Sequence, residues 1–183
     1  MLREVVLYIA ASLDGYIATK EDGLEWLFQT EGEGDNGYSE FYESVDTIIM
    51  GRKTYDWILN HEGDNFPYKN KQCLVFSRTE QQEDENVEFV NGNVHELVAE
   101  LKKMEGKSIW IVGGGELLHY FIKEQLVDKW IINIAPTIIG EGIPLFKQLD
   151  FETRLSLITV KRHNQFAEMQ YETVRGGTFN GNI

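Results

Sequence analysis

The chain has 183 residues, of which 42% are hydrophobic and 12% aromatic, and its formal net charge is −13 from 30 acidic and 17 basic side chains. This length and hydrophobic content are typical of one globular domain, and the negative charge argues against a nucleic-acid partner. No apolar run approaches the roughly 20 residues that cross a bilayer, and the start of the chain lacks the basic region of a signal peptide.

Apolar runs and helical stripes alternate along the chain, which predicts an α/β fold. Short runs rich in β-branched residues predict strands over residues 5–11, 47–50, 72–76, 87–90, 109–112 and 129–135. Helices are predicted over 38–44, from 51 onward, over 94–104 and over 117–122. The segments 155–161 and 166–174 predict an antiparallel hairpin. The chain is therefore expected to form one domain over residues 1–175 on a mostly parallel sheet, with a flexible tail over 176–183.

The segment 19–37 stands out because it is long, polar and glycine-rich. Its one apolar patch, Leu24–Phe28, contains Trp26. An irregular segment of this length inside a compact domain is either disordered or functional. The aromatic patch favours a loop that closes over a ligand.

The single cysteine, Cys73, cannot form an intrachain disulfide, which favours a reducing cytoplasm. It lies in an apolar run and is expected to be a small core residue and not a nucleophile. The four histidines show no pair at metal-ligand spacing, so no metal site is predicted.

Three consecutive glycines, Gly113, Gly114 and Gly115, follow the buried strand Ile109–Val112 and precede a helix. Such a turn leaves unpaired N–H groups at the positive end of a helix, where a phosphate can bind. The alternative is a tight turn that only needs the conformational freedom of glycine. The pattern matches neither G-x-G-x-x-G nor a Walker loop.

Basic residues also follow two other strands, although the protein is acidic overall. Arg52 and Lys53 follow one strand and Arg78 follows the next. Because ligands of such sheets bind at the carboxyl ends of the strands, this recurrence predicts a local anion site. Phosphates bound in two places indicate a dinucleotide, although each basic residue alone could be a solvated helix-start residue.

Five motifs in order resemble a known family. Met50–Tyr55, Ser77-Arg78 and Ile111–Glu116 resemble dihydrofolate reductases. Ser12–Ala18 and Pro136–Phe146 are more similar to the reductase domain of the bifunctional deaminase-reductase of riboflavin biosynthesis and its stand-alone relatives. The resemblance covers residues 4 to 174. It implies a dihydrofolate reductase-like, three-layer α/β/α fold.

The resemblance also implies that the cofactor is NADPH. Arg52, Ser77 and Arg78 would hold its 2′-phosphate, Lys53 and Thr54 the adjoining phosphates, and Gly113–Leu117 the pyrophosphate. The nicotinamide would lie against Ala11, Ile17 and Ala18. The full set of cofactor residues implied is Ala11, Ile17, Ala18, Gly51, Arg52, Lys53, Thr54, Ser77, Arg78, Gly113, Gly114, Gly115, Glu116 and Leu117. In dihydrofolate reductases the first two glycines of this turn are joined by a cis peptide.

In the substrate half the resemblance is weaker, and two acids remain as catalytic candidates. Asp35 lies near the position of the carboxylate that binds the pterin in dihydrofolate reductases, but it could be a solvated loop acid. Asp14 lies in a turn where the riboflavin-type relatives carry an acid near the substrate, but it could simply form the turn. Trp26 and Phe41 are expected to contact the substrate.

Taken together, these expectations describe a cytoplasmic, NADPH-dependent reductase that transfers hydride to a pterin-, flavin- or pyrimidine-like heterocycle. Two alternatives stay open: a nucleotide-binding module with an NADPH cleft and little turnover, or a sugar-phosphate-binding protein. The riboflavin-type relatives imply a homodimer, in which an exposed Trp130 could take part unless it is a core residue.

Overall fold

The computed structural model describes residues 2–63, 65–79, 84–149 and 152–175, so the predicted tail over 176–183 lies outside the described residues. In chain order the elements are β1 (Val5–Ser12), β2 (Tyr16–Ala18), α1 (Glu25–Phe28), α2 (Tyr38–Ser44), β3 (Val45–Gly51), α3 (Arg52–Glu62), β4 (Gln72–Phe76), β5 (Glu88–Val90), α4 (Val94–Lys103), β6 (Ser108–Gly113), α5 (Gly115–Lys123), β7 (Lys129–Ala135), β8 (Ile143–Pro144), β9 (Leu155–His163) and β10 (Phe166–Thr173). None of the helices in these ranges is long and apolar enough to cross a membrane.

Eight strands form the central sheet, in the order β5-β4-β3-β6-β1-β7-β10-β9. The pairs from β5 to β7 are parallel, and β10 is antiparallel to both β7 and β9. The predicted mostly parallel sheet with an antiparallel C-terminal hairpin is therefore confirmed. The sequence did not predict the short helix α1 or the strands β2 and β8, which pair with each other in a separate two-stranded sheet.

Both faces of the sheet are covered, which explains why its parallel strands are continuous apolar runs. One core cluster joins the strands to α4 and α5, and includes Val5, Leu7, Ile111, Leu101 and Phe121. The second joins the opposite face to α2 and α3, and includes Val6, Ile48, Phe41, Ile58 and Trp110. Helices on both faces make the predicted three layers.

Two predictions about single residues are settled by burial. Trp130 is 3% exposed and its indole Nε1 donates to Thr173 Oγ1 over 2.9 Å. It is a core residue and offers no exposed surface for a dimer contact. Cys73 is also buried, and burial raises the pKa of its thiol to about 12, as expected for a packing residue.

Candidate functional site

The two glycine turns at the carboxyl ends of β3 and β6 lie against each other. A β-carbon placed on Gly114 would lie 3.2 Å from Thr54 Oγ1 and 3.5 Å from the α-carbon of Gly51. These strands are neighbours, so the turns that follow them meet at the same edge. Only a residue without a side chain fits at Gly114 unless its neighbours move.

This contact brings two helix N-termini together. Helix α3 begins after Gly51 and α5 begins after Gly114, and no described side chain caps either one. The first N–H groups of a helix have no partner within it and carry partial positive charge. The arrangement is therefore suited to binding the phosphates of a nucleotide. Gly51, Thr54 and Gly114 are all among the residues predicted to bind the cofactor.

The conformation of the glycine turn differs from the one that the resemblance implies. Gly113 and Gly114 have φ of 138° and 89°, a region that favours glycine, and no cis peptide occurs among the described residues. The expected cis bond between these two residues is therefore wrong for this structure. In this structure the turn is formed by two successive glycines with positive φ.

Arg52 lies at the start of α3 and is held from two sides. Its Nε donates to Asp56 Oδ1 over 2.6 Å, and its guanidinium carbon lies 5.9 Å and 5.7 Å from the ring centres of Tyr55 and Phe89. The neighbouring Lys53 is exposed, and its charge reaches α5, where it contributes to lowering the pKa of Glu116. Two basic side chains thus lie on the first turn of α3, directly after Gly51.

Ser77 and Arg78 follow β4 at the same edge of the sheet. The Ser77 N–H donates to Val90 O over 3.0 Å, which joins this turn to β5, the strand that carries Phe89. Ser77 is buried, and Arg78 is exposed. The predicted set of Arg52, Ser77 and Arg78 is thereby brought to the ends of two adjacent strands, β3 and β4.

Glu116 and Leu117 occupy the first turn of α5. The Glu116 carboxylate pairs with Lys147, and that contact is the main reason why its pKa lies below the usual range. Leu117 packs against the core, with its β-carbon 3.8 Å from a β-carbon placed on Gly51. Both side chains support the glycine turn from the side of the helix.

The predicted nicotinamide residues lie next to this turn. Ala11 is fully buried, so this residue exposes no surface to a ligand in this structure. Ile17 and Ala18 lie on β2, and a β-carbon on Gly142 would collide with the carbonyl oxygen of Ala18. The β2–β8 pair is thus held tightly together, and Ile143 Cγ2 lies 3.2 Å from a β-carbon placed on Gly115.

The carboxylate of Asp14 joins two loops. Oδ1 accepts from Ser12 Oγ at 2.6 Å and from Ile139 N at 3.2 Å, and Oδ2 accepts from Gly140 N at 2.8 Å. These hydrogen bonds, led by the one from Ser12, hold the pKa of Asp14 below its usual range. The side chain fastens the β1–β2 turn to residues 139–140.

Asp35 has a comparable role at the start of α2. Its oxygens accept from Gly37 N at 3.0 Å and from Ser39 N at 2.8 Å, an arrangement that caps the helix. Its pKa is also lowered, chiefly by a hydrogen bond from the Ser39 side chain. Within the described ranges, no group of three His, Cys, Asp or Glu side chains is placed to hold a metal ion.

Trp26 and Phe41 lie over one face of the sheet but do not touch each other in the described contacts. Trp26 packs on Ala135 and Phe166, whereas Phe41 stacks on Tyr8 with 4.2 Å between the ring centres and 14° between the planes. The predicted loop over 19–37 thus contributes Trp26 to this face, and α2 contributes Phe41.

Two buried polar residues on this face were missed by the sequence analysis. Asn133 and Glu168 are 5% and 3% exposed and lie directly opposite each other on β7 and β10. A signal was present for Asn133, because it is the only polar residue inside the apolar run Trp130–Ala135. Glu168 could be recognised only once the register of the hairpin was known.

Comparison with known proteins agrees with this architecture. The family model described as the RibD C-terminal domain matches residues 3–168. The uncharacterized protein YwjB of Bacillus subtilis (strain 168) is 45% identical over 93% of this chain and 98% of its own length. A crystal structure from Shewanella sp. PV-4, provisionally assigned to riboflavin biosynthesis, has 31% identity and a TM-score of 0.84 over 96% of this chain and 100% of its own.

A more distant likeness identifies the fold. Dihydrofolate reductase from Enterococcus faecalis, complexed with NADP(H), superposes with a TM-score of 0.63 over 94% of this chain and 99% of its own, at 17% identity. The central sheet, its helical layers and its C-terminal hairpin are therefore dihydrofolate reductase-like. By its sequence and its fold, this chain belongs to the RibD C-terminal domain family.

Proposed function

We propose that the protein is an NADPH-dependent reductase that transfers hydride to a pterin-, flavin- or pyrimidine-like heterocycle. The observation that carries this proposal is the contact between Gly51 and Gly114, where two uncapped helix N-termini meet. Family membership supports it, because the RibD C-terminal domain takes its name from a riboflavin biosynthesis protein. The same fold binds NADP(H) in the Enterococcus faecalis enzyme.

The cofactor would lie along the carboxyl edge of the sheet. Strands β1, β6, β3 and β4 are consecutive there, so the distance from the first to the last is about 14 Å. Ile17 and Ala18, with Ala11 buried beside them, would line the nicotinamide site, and the turn Gly113–Gly115 would contact the pyrophosphate. Bound there, the cofactor supplies the hydride, and the protein determines which ring faces it.

The other end of the cofactor would be recognised by charge. Arg52 and Arg78, with the Ser77 hydroxyl, would bind the 2′-phosphate, and Lys53 and Thr54 would bind the adjoining phosphates. Arg52 is already oriented by Asp56 and by two aromatic rings. A phosphate would compete with Asp56 for the guanidinium group, which can bind two oxygens at once.

Asp14 and Asp35 remain candidates for orienting the substrate or relaying a proton through water. Their hydrogen bonds lower both pKa values, so each would act as a carboxylate and not as a proton donor at neutral pH. Both also hold main-chain N–H groups of loops. Because both carboxylates already bind loop N–H groups, they favour the alternative of a nucleotide-binding module with little turnover.

The decisive experiment follows NADPH absorbance at 340 nm in the presence of single pterins, pyrimidinones and flavins. A reductase oxidises NADPH with at least one of them, and the rate depends on the concentration of both compounds. Tight NADPH binding with no oxidation across the panel would favour the nucleotide-binding module over the reductase. Failure to bind NADPH at all would favour the sugar-phosphate-binding alternative.

A homodimer is proposed as well, with β9 at its interface. This strand is at the edge of the sheet, and it exposes Leu157, Ile158 and Val160 by 56%, 50% and 59%. An unpaired edge with apolar side chains is suited to pairing with a second copy. A reducing cytoplasm is the proposed location, in keeping with the single free thiol of Cys73.

A further inference from the structure

One row of side chains crosses four strands of the sheet on the face that α2 covers. Ala10 on β1 lies opposite Asn133 on β7, Asn133 lies opposite Glu168 on β10, and Glu168 lies opposite Lys161 on β9. Because directly paired residues point to the same side of a sheet, these four side chains share one face. Ala11, a predicted nicotinamide residue, follows Ala10 on β1 and points to the opposite face of the sheet.

Glu168 is a buried carboxylate, and only one of its two oxygens accepts a well-aligned hydrogen bond from a described side chain. Oε1 accepts from Gln170 Nε2 at 2.7 Å and lies 3.8 Å from Lys161 Nζ. Oε2 lies 3.4 Å from His163 Nε2, without the alignment of a hydrogen bond. A buried charge is costly unless it is paired and hydrogen-bonded, so this oxygen is suited to a further donor.

Asn133 provides an independent sign of a ligand. It is 95% buried, and its Oδ1 has no hydrogen-bond partner in the described part of the chain. The Asn133 side chain lies near the Tyr8 hydroxyl, and it offsets part of the rise that burial causes in the pKa of Tyr8. A buried acceptor without a donor is uncommon in folded proteins and calls for a specific explanation.

Aromatic side chains border this row on both sides. Phe41 stacks on Tyr8 towards the amino end of β1, and Trp26 covers Ala135 and Phe166 towards the carboxyl end. The rows that carry Tyr8 and Ala135 are four residues apart along the strands, or roughly 13 Å. The space between these aromatic groups includes Ala10, whose small side chain is half-buried.

The outer side of this space is closed by the loop that precedes α2. Gln165 N donates to Glu31 O over 3.1 Å, and a β-carbon placed on Gly37 would lie 3.7 Å from His163 Cε1. An open depression of about 380 Å³, lined by Gly32, Glu33, Arg162 and Asn164, lies at this junction. The loop therefore rests on the turn of the hairpin beside His163.

We propose that Glu168 and Asn133 bind the N–H donors of an amino-substituted pyrimidine ring in the substrate. The Glu168 carboxylate and Asn133 Oδ1 are two acceptors on adjacent strands, and adjacent N–H groups on such a ring can meet both. The proposal rests on the proposed function and adds the residues that would bind its substrate. It assigns the substrate-binding carboxylate to the C-terminal hairpin and not to Asp14 or Asp35.

The test compares two small probes by isothermal titration calorimetry. The first, 2,4-diaminopyrimidine, carries the N–H donors, and the second, 2,4-dimethylpyrimidine, has the same ring without them. Wild-type protein should bind the first at least tenfold more tightly than the second. Glu168→Gln should remove that preference, whereas Glu172→Gln, an exposed position two pairs away on the same strand face, should retain it.

Equal affinity of wild type for both probes, no binding of either, or an unchanged preference in Glu168→Gln would overturn the proposal. If Glu168→Gln fails to fold, the wild type still tests it through NMR. The side-chain amide signals of Asn133 should shift when 2,4-diaminopyrimidine is added and should not shift with the dimethyl compound, and the opposite result overturns the assignment.

The outcomes distinguish this proposal from the function on which it rests. Probe binding lost in Glu168→Gln, without NADPH oxidation by wild type, would support the pyrimidine site and reject the reductase. NADPH oxidation with an unchanged substrate KM in Glu168→Gln would retain the reductase and reject this site.

Discussion

Gly51 and Gly114 approach so closely that a β-carbon on Gly114 would lie 3.5 Å from the α-carbon of Gly51. They are separated by more than sixty residues in the chain and meet because β3 and β6 are neighbours in the sheet. This contact is the strongest structural support for a nucleotide at the edge of the sheet.

Replacing Gly114 with alanine should impair both folding and cofactor binding. The residue has φ of 89°, so alanine is expected to cost about 1–3 kcal/mol of unfolding free energy. The new methyl group would also push Thr54 away from the turn, and NADPH affinity should fall at least tenfold. Thermal unfolding and calorimetric titration measure the two effects.

Gly92→Ala is the matched control for this substitution. Gly92 has φ of 103° in the loop before α4, and a β-carbon there meets no atom within 4 Å. It should show a similar loss of stability with unchanged NADPH affinity. If both variants lost affinity equally, the effect at Gly114 would be general destabilisation.

Arg52→Ala should remove the preference for NADPH over NADH. A charge-assisted hydrogen bond to a phosphate contributes about 1.5–3 kcal/mol, so NADPH affinity should fall roughly tenfold or more while NADH affinity stays unchanged. Asp56→Ala is the matched control, because it frees the guanidinium of its carboxylate partner and should keep or strengthen the NADPH preference. Equal losses for both cofactors in Arg52→Ala would remove Arg52 from the 2′-phosphate site.

Asp14→Asn should lower stability at neutral pH and have little effect in acid. Because hydrogen bonds lower the pKa of Asp14 in the folded state, its carboxylate stabilises the fold above the unfolded pKa. That contribution is lost as pH falls through the folded pKa. The Tm difference from wild type should therefore be present at pH 7 and shrink below about pH 4.

The control for Asp14 is Glu21→Gln, an exposed acid in the following loop. Its Tm should follow that of wild type across the same range of pH. A Tm difference for Asp14→Asn that does not depend on pH would mean that the charge of Asp14 does not fasten the loop.

Val160→Lys should convert the proposed dimer into a monomer. Val160 is 59% exposed on the edge strand β9, where a lysine opposes pairing between sheets. Light scattering during size-exclusion chromatography measures the mass directly. Met104→Lys, at an apolar position that is 53% exposed beyond α4, should remain dimeric. A monomeric wild type would disprove the dimer, and a dimeric Val160→Lys would place its interface elsewhere.

Local patterns were sufficient for most of the secondary structure and for the turns. The start of α4 is fixed locally by Asn93, whose Oδ1 accepts from His95 N at 2.9 Å and whose Nδ2 donates to Glu96 Oε1 at 3.2 Å. The glycine turn after β6 was also recognisable, because three adjacent glycines after a β-branched run leave few other conformations. Such features depend on residues that are close together in the chain.

The contacts of the polar side chains could be assigned only from the tertiary structure. Asp14 reaches Gly140 from 126 positions away, and Glu168 faces Asn133 through the register of β10 against β7. A shift of that register by one residue would turn Glu168 to the other face of the sheet. The sequence by itself determined the alternating elements and the glycine turns, because these follow from short-range sterics and periodicity. The tertiary structure alone decided which acids hold loops. It also decided that the Glu168 carboxylate is buried opposite Asn133, whose Oδ1 has no hydrogen-bond partner among the described residues, because strand pairing joins residues that are distant in the chain.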